Sequence, residues 1–301
     1  MNEQLAIIQP GILADIPSHA RYLTFALRDD SRARTALQAL RNIVDGDSCV
    51  VGLSESLVEA LDANVVGLKA TASLAGAGIE IPASPGSLWC WLRGTERGTM
   101  IHRTRELSAT LAPAFELLHA VDAFKYGSGR DLTGYEDGTE NPLGDDVIDA
   151  AIVAAHGSGL DGSSFVAVQQ WRHDLARFDA MSSQDQDYTI GRRKSDNEEI
   201  DDAPDSAHVK RTAQESFSPP ALVVRRSMPW ANETEHGLVF VAFGHSFVAF
   251  EALLHRMIGA DDGITDSLFN FTRPITGNYY WCPPMRAGRL DLSALGLSQG
   301  L

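Results

Sequence analysis

Cysteine is scarce in this chain: Cys49, Cys90 and Cys282 are widely spaced, with no CxxC and no CxxCH. Their spacing excludes a zinc ribbon and a covalently attached c-type haem, and three dispersed thiols fit a reducing cytoplasm better than a disulfide framework. Long apolar runs are missing too; none approaches the roughly 18 residues of a membrane span. Met1-Asn2-Glu3-Gln4 has neither the basic start nor the apolar stretch of a secretory leader. Positive charge is in deficit, with 25 Lys and Arg against 40 Asp and Glu and a net charge of −15. That balance argues against nucleic acid as a partner and favours solubility. Six of the acids fall between Asp196 and Asp205, which reads as a solvated loop.

What is present is globular in composition, 44% hydrophobic and 22% charged over 301 residues, enough for one large domain or two ordinary ones. Tyr22–Leu27 reads as a strand, and a helix follows over about 31–44, with Ala36, Leu37, Leu40 and Ile43 at helical spacing. Cys49–Leu53 and Leu88–Leu92 read as strands. A helical stretch from about Thr104 carries Leu107, Leu111 and Leu118, with Pro113 expected to kink or split it. The second half repeats the theme. Phe165–Val168 reads as a strand, Asp174–Met181 as a helix, Ala221–Arg225 and Leu238–Phe243 as strands. A helix on Phe247, Phe250, Leu254 and Met257 follows, and Asn278–Cys282 is a closing strand. Several neighbouring strands are joined by connections too short for helical crossovers, which predicts α+β with antiparallel sheets.

Three stretches carry chemistry. Gly134-Tyr135-Glu136-Asp137-Gly138-Thr139-Glu140-Asn141-Pro142 places an acid between two glycines in a run that is neither helix nor regular strand. Such a loop can press its main chain against a flat ligand and aim one carboxylate at it; a surface turn with a solvated Asp is the competing reading. His208 stands apart from the other histidines because it follows the acidic loop and precedes a strand. His102, His156, His173 and His236 read as surface residues, and His119 and His255 as residues of helices. In Val223–Trp230, strand alternation puts Val223, Arg225 and Ser227 on one face and Val224 and Arg226 on the other. One arginine then faces inward and needs an anionic partner, for which a structural salt bridge is the ordinary candidate.

Together these stretches resemble the dye-decolorizing peroxidases, haem b enzymes, in their short bacterial B-type branch. The resemblance runs from Gln9-Pro10-Gly11 to Gly277-Asn278-Tyr279-Tyr280. It is sharpest at Thr133–Thr139, at Ile190-Gly191-Arg192-Arg193-Lys194, at Ala207-His208 and at Val224–Pro229. It implies two ferredoxin-like α+β domains with antiparallel sheets. The first spans residues 1–145 and ends in the GxxDG loop; the second spans 146–301 and holds the haem. By the same resemblance His208 is the proximal iron ligand, Asp137 the distal acid and Arg225 the distal arginine, chosen over Arg226 by its place four residues before Pro229. Leu238 and Phe240 resemble the apolar pair of the distal pocket, and Asp266 is a candidate partner for the proximal imidazole. Ser227 stands where some relatives carry Asn.

The implied activity is reduction of hydrogen peroxide and oxidation of an organic electron donor through an oxo-ferryl intermediate; the alternative is a haem carrier or iron-retrieval protein on the same fold. An aspartate base predicts turnover that persists in mildly acidic solution, since carboxylates ordinarily titrate near ~4 and histidine near ~6.5. Trp230, Tyr279, Tyr280 and Trp281 are candidate surface relays for electrons. Glu140 and the 196–205 acids are candidate oxygen ligands for a manganous ion. Relatives suggest a homo-oligomer, and the tail Asp291–Leu301 is a candidate for docking into an encapsulating protein shell.

Overall fold

The computed structural model describes residues 7–297. Met1–Gln4, on which the leader reading rests, and the last residues of the tail, 298–301, lie outside the described residues. The first half runs β1 (His19–Leu27), α1 (Asp30–Arg41), β2 (Cys49–Leu53), β3 (Leu88–Gly94), α2 (Arg97–Leu111) and β4 (Phe115–Phe124). Its strands pair antiparallel in the order β2-β3-β1-β4. That is the ferredoxin-like arrangement, a βαββαβ unit with a small hairpin, Leu74–Gly76 with Ile79–Ile81, inserted between β2 and β3.

The second half repeats it with β5 (Ser164–His173), the two short segments β6 (Val224–Arg225) and β7 (Met228–Ala231), and β8 (His236–Gly244). Helix α4 (Val248–Met257), β9 (Thr272–Pro274) and β10 (Asn278–Cys282) complete it. Its central order is β10-β5-β8-β7, again antiparallel, with β6 extending the β7 edge along β8 and β9 on the far end of β5. Single residue pairs join the halves, Trp281 with Leu53 and Ala123 with Trp230. The pairings therefore close a ring: β2, β10, β5, β8, β7, β4, β1, β3 and back to β2.

Strand alternation sorts the side chains into two cores. Tyr22, Trp89, Trp91, Val166, Val168, Val239, Val241, Phe243 and Tyr280 point into the ring and form one of them. In the first half the opposite faces, with Leu23, Phe25, Val51, Leu53, Cys90 and Leu92, are covered by α1 and α2 through Ala33, Ala36, Leu37, Leu40, Leu107 and Leu111. In the second half the outer face of β5 and β8 carries Gln169, Trp171, His173, Leu238 and Phe240, and α4 meets it with Phe250, Leu253, Leu254 and Met257. There the helical layer leaves a cavity instead of closing on the sheet.

Three sequence expectations are corrected. The helix carrying Leu107 and Leu111 begins at Arg97 and ends at Leu111; Pro113 stops it, and Leu118 and His119 lie in β4. Only Val224–Arg225 of the stretch from Ala221 is strand. His208 does not precede a strand but starts a four-residue helix, α3 (His208–Arg211). The near part of the tail is core, since Leu292, Leu295 and Leu297 are buried.

Gly237 marks where β8 and β5 run closest: a Cβ there would lie 2.0 Å from the Trp171 carbonyl oxygen. Gly237→Ala is expected to force the two strands apart and lower stability by about 1–3 kcal/mol, the usual cost of overpacking. Thermal or urea melts check this, and an unchanged midpoint would contradict the close approach.

Candidate functional site

The GxxDG loop is held by its own backbone before any ligand is considered. Gly134 and Gly138 have φ of 89° and 75°, in the left-handed region that favours glycine. A Cβ at Gly134 would also meet the Lys194 side chain at 2.6 Å. Asp131 N–H donates to the Tyr135 carbonyl at 2.9 Å, and Asp137 N–H donates to Gly129 at 3.2 Å. Glu136 is held by Arg130 at 2.8 Å and Ser128 at 2.6 Å; those two partners keep its carboxyl below its ordinary pKa. Tyr135 donates its hydroxyl to Asp187, and Lys194 donates to the Thr133 carbonyl at 2.6 Å. Asp137 emerges from this scaffold with Oδ1 accepting the Gly138 N–H at 2.7 Å.

Arg225 is fixed from the other side of the same loop. The Asn141 side chain imitates a strand partner: its Oδ1 accepts the Arg225 N–H at 2.7 Å and its Nδ2 donates to the Arg225 carbonyl at 3.0 Å. The clamp brings Arg225 Nη1 to 3.7 Å from Asp137 Oδ1, both side chains mostly buried. Arg225 Nε is buried with no hydrogen-bond partner among the described residues. Alternation sends Arg226 the opposite way, where it donates to the Leu13 carbonyl at 2.8 Å. Val223 and Arg225 line the cavity as the alternation predicts. Ser227 instead turns into the ladder, its hydroxyl accepting the Val241 N–H at 3.3 Å.

His208 stands at the start of α3, and its Nδ1 lies 2.7 Å from Oδ2 of Asp266. Asp266 is 1% exposed, and its Oδ1 accepts the Leu268 N–H at 2.8 Å. Each carboxylate oxygen therefore has a partner, which a buried anion requires. This use of Nδ1 leaves Nε2 as the ring nitrogen available to a metal.

Asp137, Arg225 and His208, but not Asp266, face one cavity of about 140 Å³ that is partly open to solvent. Asp137, Arg225, His208, Leu238 and Phe240 line it together, with α4 supplying Phe250, Leu253, Leu254 and Met257.

The structure also brings in residues that sequence reasoning passed over. His173, read as a surface residue, is 8% exposed and lines the cavity. Its ring nitrogens meet Thr272 Oγ1 at 2.6 Å and Asp131 Oδ1 at 3.0 Å. Burial pushes the Asp131 carboxyl up, but the hydrogen bond and charge of His173, with the Thr133 amide and hydroxyl, outweigh it and hold the group below the usual range. Asn141 had entered only as a turn former. Its spacing from Asp137 was visible, but its partner lies 84 residues away. Gln214 is similar: it donates to the Glu140 carbonyl at 2.7 Å and accepts the Val223 N–H at 2.8 Å, tying loop to strand a second time.

Two expectations fail. Trp230, Tyr279, Tyr280 and Trp281 are not at the surface; they are between 0% and 8% exposed, because β7 and β10 are inner strands of the ring. Glu140 and Glu199 converge on the Arg192 guanidinium, so their charge is already answered by a cation. Among the described residues no group of three or more His, Cys, Asp or Glu is placed to hold a metal ion, and no helix is long and apolar enough to cross a membrane.

Residues 128–287, which contain every one of these cavity residues, match the model of the Dyp-type peroxidase C-terminal family. The chain belongs to the Dyp-type peroxidase family. It is 29% identical over 208 residues to the dye-decolorizing peroxidase of Mycobacterium tuberculosis, a match covering 67% of this chain and 62% of that protein. The chain thus spans less than two thirds of that relative's length. Among solved structures it resembles a dye-decolorizing protein from V. cholerae with a TM-score of 0.83 at 26% identity, over 96% of this chain and 99% of that one. A DypB variant from Rhodococcus jostii RHA1 in complex with heme gives a TM-score of 0.83 at 25% identity, over 90% of this chain and 94% of that one. The family relation agrees with the α+β fold of two ferredoxin-like halves.

The Asp131–His173 contact has a pH signature. Because the folded carboxyl titrates below its unfolded value near ~3.9, its stabilisation is present above that value and is lost as pH falls through the lower folded one. Melts of wild type and Asp131→Asn are expected to differ at pH 5 and to converge as pH falls below about 4. A difference that persists unchanged at pH 2.5 would contradict the assignment.

Proposed function

We propose that this protein is a haem b peroxidase that reduces hydrogen peroxide and oxidises an organic, dye-like donor. The observation that carries the reading is the joint lining of one cavity by an imidazole backed by a buried carboxylate and by a carboxylate–guanidinium pair. The residues fit the group. The walls are largely apolar, as the faces of a flat macrocycle require, and Arg225 Nε is a buried donor with nothing to bind among the described residues. The relatives' names supply the donor class, and the heme complex of DypB supplies the cofactor. Three buried, unpaired cysteines fit a reducing compartment.

Bound in this cavity, haem would supply the redox-active iron needed for cleavage of the peroxide O–O bond. His208 would hold the iron through Nε2, and Asp266, by accepting the Nδ1–H, would fix the tautomer and raise the basicity of the ring. Asp137 would act as the base that takes a proton from one peroxide oxygen and gives it to the other, so that this oxygen leaves as water. Arg225 stays charged and stabilises the negative charge on that departing oxygen. Leu238 and Phe240 put apolar surface beside the pair, which limits how far water can screen the two charges.

Asp137→Asn keeps the size and the Gly138 contact but removes the base. Haem uptake should be unchanged, and the stopped-flow rate of reaction with peroxide should fall by about 10²–10⁴. An undiminished rate would defeat Asp137 as the base, and haem uptake with no peroxide reaction even in the wild type would favour the haem-carrier alternative.

A further inference from the structure

Helix α3, which carries His208, is only four residues long. A single turn does not hold its own shape, because nucleating a helix fixes several residues for one hydrogen bond. The direction of the His208 ring is therefore set by what grips α3 from outside. Asp266, its carboxylate partner, is placed no more firmly by local structure, since only one turn of 3₁₀ helix, Ser267–Asn270, follows it. Both are fastened to the last turn of α4. Arg211, at the far end of α3, donates Nη2 to the Arg256 carbonyl at 2.6 Å. The Asp266 N–H donates to the next carbonyl, that of Met257, at 2.8 Å. Arg211 also forks onto Asp262, Nη1 to Oδ2 at 2.7 Å and Nη2 to Oδ1 at 2.8 Å. That Oδ1 accepts the Ile264 N–H at 2.9 Å, which ties the fork to the loop leading into Asp266. On the near side of the pair, the Ser267 N–H donates to the Ser206 carbonyl at 2.8 Å.

Arg211 is 5% exposed, so its charge carries a desolvation cost that the pairing with Asp262 works against. An apolar side chain would cover the end of α4 without that cost, and such replacements of buried ion pairs are often neutral or stabilising. What a guanidinium adds is direction. Its planar fork engages a carboxylate in one geometry, and its charge suits the carbonyl end of a helix. The cavity gives that direction a use, because Leu253, Leu254 and Met257 of α4 form the wall of the space that His208 faces. One helix thus serves as wall and as frame. Building on the haem reading of His208, we propose that Arg211 is a positioning residue for the axial imidazole. It holds α3 in the orientation at which Nδ1 meets Asp266 and Nε2 is left to the cavity.

The test has two readouts. In the haem-free protein labelled with ¹⁵N-histidine, the His208 ring of the wild type should carry its proton on Nδ1. In Arg211→Gln the shifts of the two ring nitrogens should move toward each other as that tautomer gives way to a mixture. In the haem-loaded protein, transfer of haem to excess apomyoglobin should be about tenfold faster in Arg211→Gln, the scale of losing an outer partner of a metal-bound histidine. Arg211→Lys keeps the charge without the fork and should fall between the two. Asp262→Asn alters a carboxylate that is 41% exposed; it should move both signals in the same direction, and it decides the matter if Arg211→Gln does not fold. Leu37→Ala opens a cavity in the core of the first half and should lower the melting temperature while leaving both signals in place. Wild-type ring shifts and haem transfer in Arg211→Gln would overturn the proposal, as would equal changes in Leu37→Ala. Ring shifts that depend on Arg211 in a protein that takes up no haem would uphold the clamp and sink the haem reading, so the two failures are distinguishable.

Discussion

The two hydrogen bonds from the Asn141 side chain to the Arg225 backbone are what the rest of the candidate site depends on. A loop cannot join a β-ladder with its own main chain if it must also turn through two left-handed glycines. A side-chain amide presents one donor and one acceptor at nearly the spacing of a peptide group, so Asn141 supplies the missing ladder rung. Gln214 makes a second tie of the same kind, from the Glu140 carbonyl to the Val223 N–H. Asp137 and Arg225, far apart in sequence, are thereby set 3.7 Å apart on one wall. Two like-sized charges held mostly out of water need such ties, because otherwise each would swing toward solvent.

The position of the cavity follows from the closed ring. Closure turns one face of every strand inward, where tryptophan, tyrosine and valine side chains pack without helices. Only the outer faces remain for a helical layer. In the first half small residues on α1, Ala33 and Ala36, let that helix lie flat on the sheet. In the second half large side chains on both sides, Trp171 and Phe240 from the sheet and Phe250 and Met257 from α4, hold the layers apart. The loop carrying Asp137 and the short helix carrying His208 both open into that gap. The same period-two rule that divides Leu238 and Phe240 from Val239 and Val241 also divides Arg225 from Arg226.

Much of this was legible in the chain. The antiparallel α+β class followed from short connections, and the opposite facing of Arg225 and Arg226 from periodicity; the two ferredoxin-like halves and the choice of Arg225 followed from the family resemblance. The resemblance carried by Asp137, His208 and Arg225 named the residues that the fold brings to one cavity. What was not legible shares one physical cause, partners distant in sequence. Burial of His173 depends on Asp131 and Thr272, from two other elements. Tyr280 and Trp281 were candidate surface relays, but the Trp281–Leu53 pairing closes the ring over them. Glu140 and the acids of 196–205 were candidate metal ligands, but Glu140 and one of those acids, Glu199, pair with Arg192 instead. Leu118 read as helical because apolar spacing continued past Pro113, which is where the backbone changes period.

The central claim is that the cavity is built to take haem through His208. Its most direct test is an absorption titration of the haem-free protein with ferric haem, run beside the His208→Ala variant. The account predicts one equivalent bound by the wild type with the spectrum of a histidine-ligated ferric haem, and loss of that spectrum in the variant. Identical spectra from the two proteins, or no saturable binding by the wild type, would contradict it.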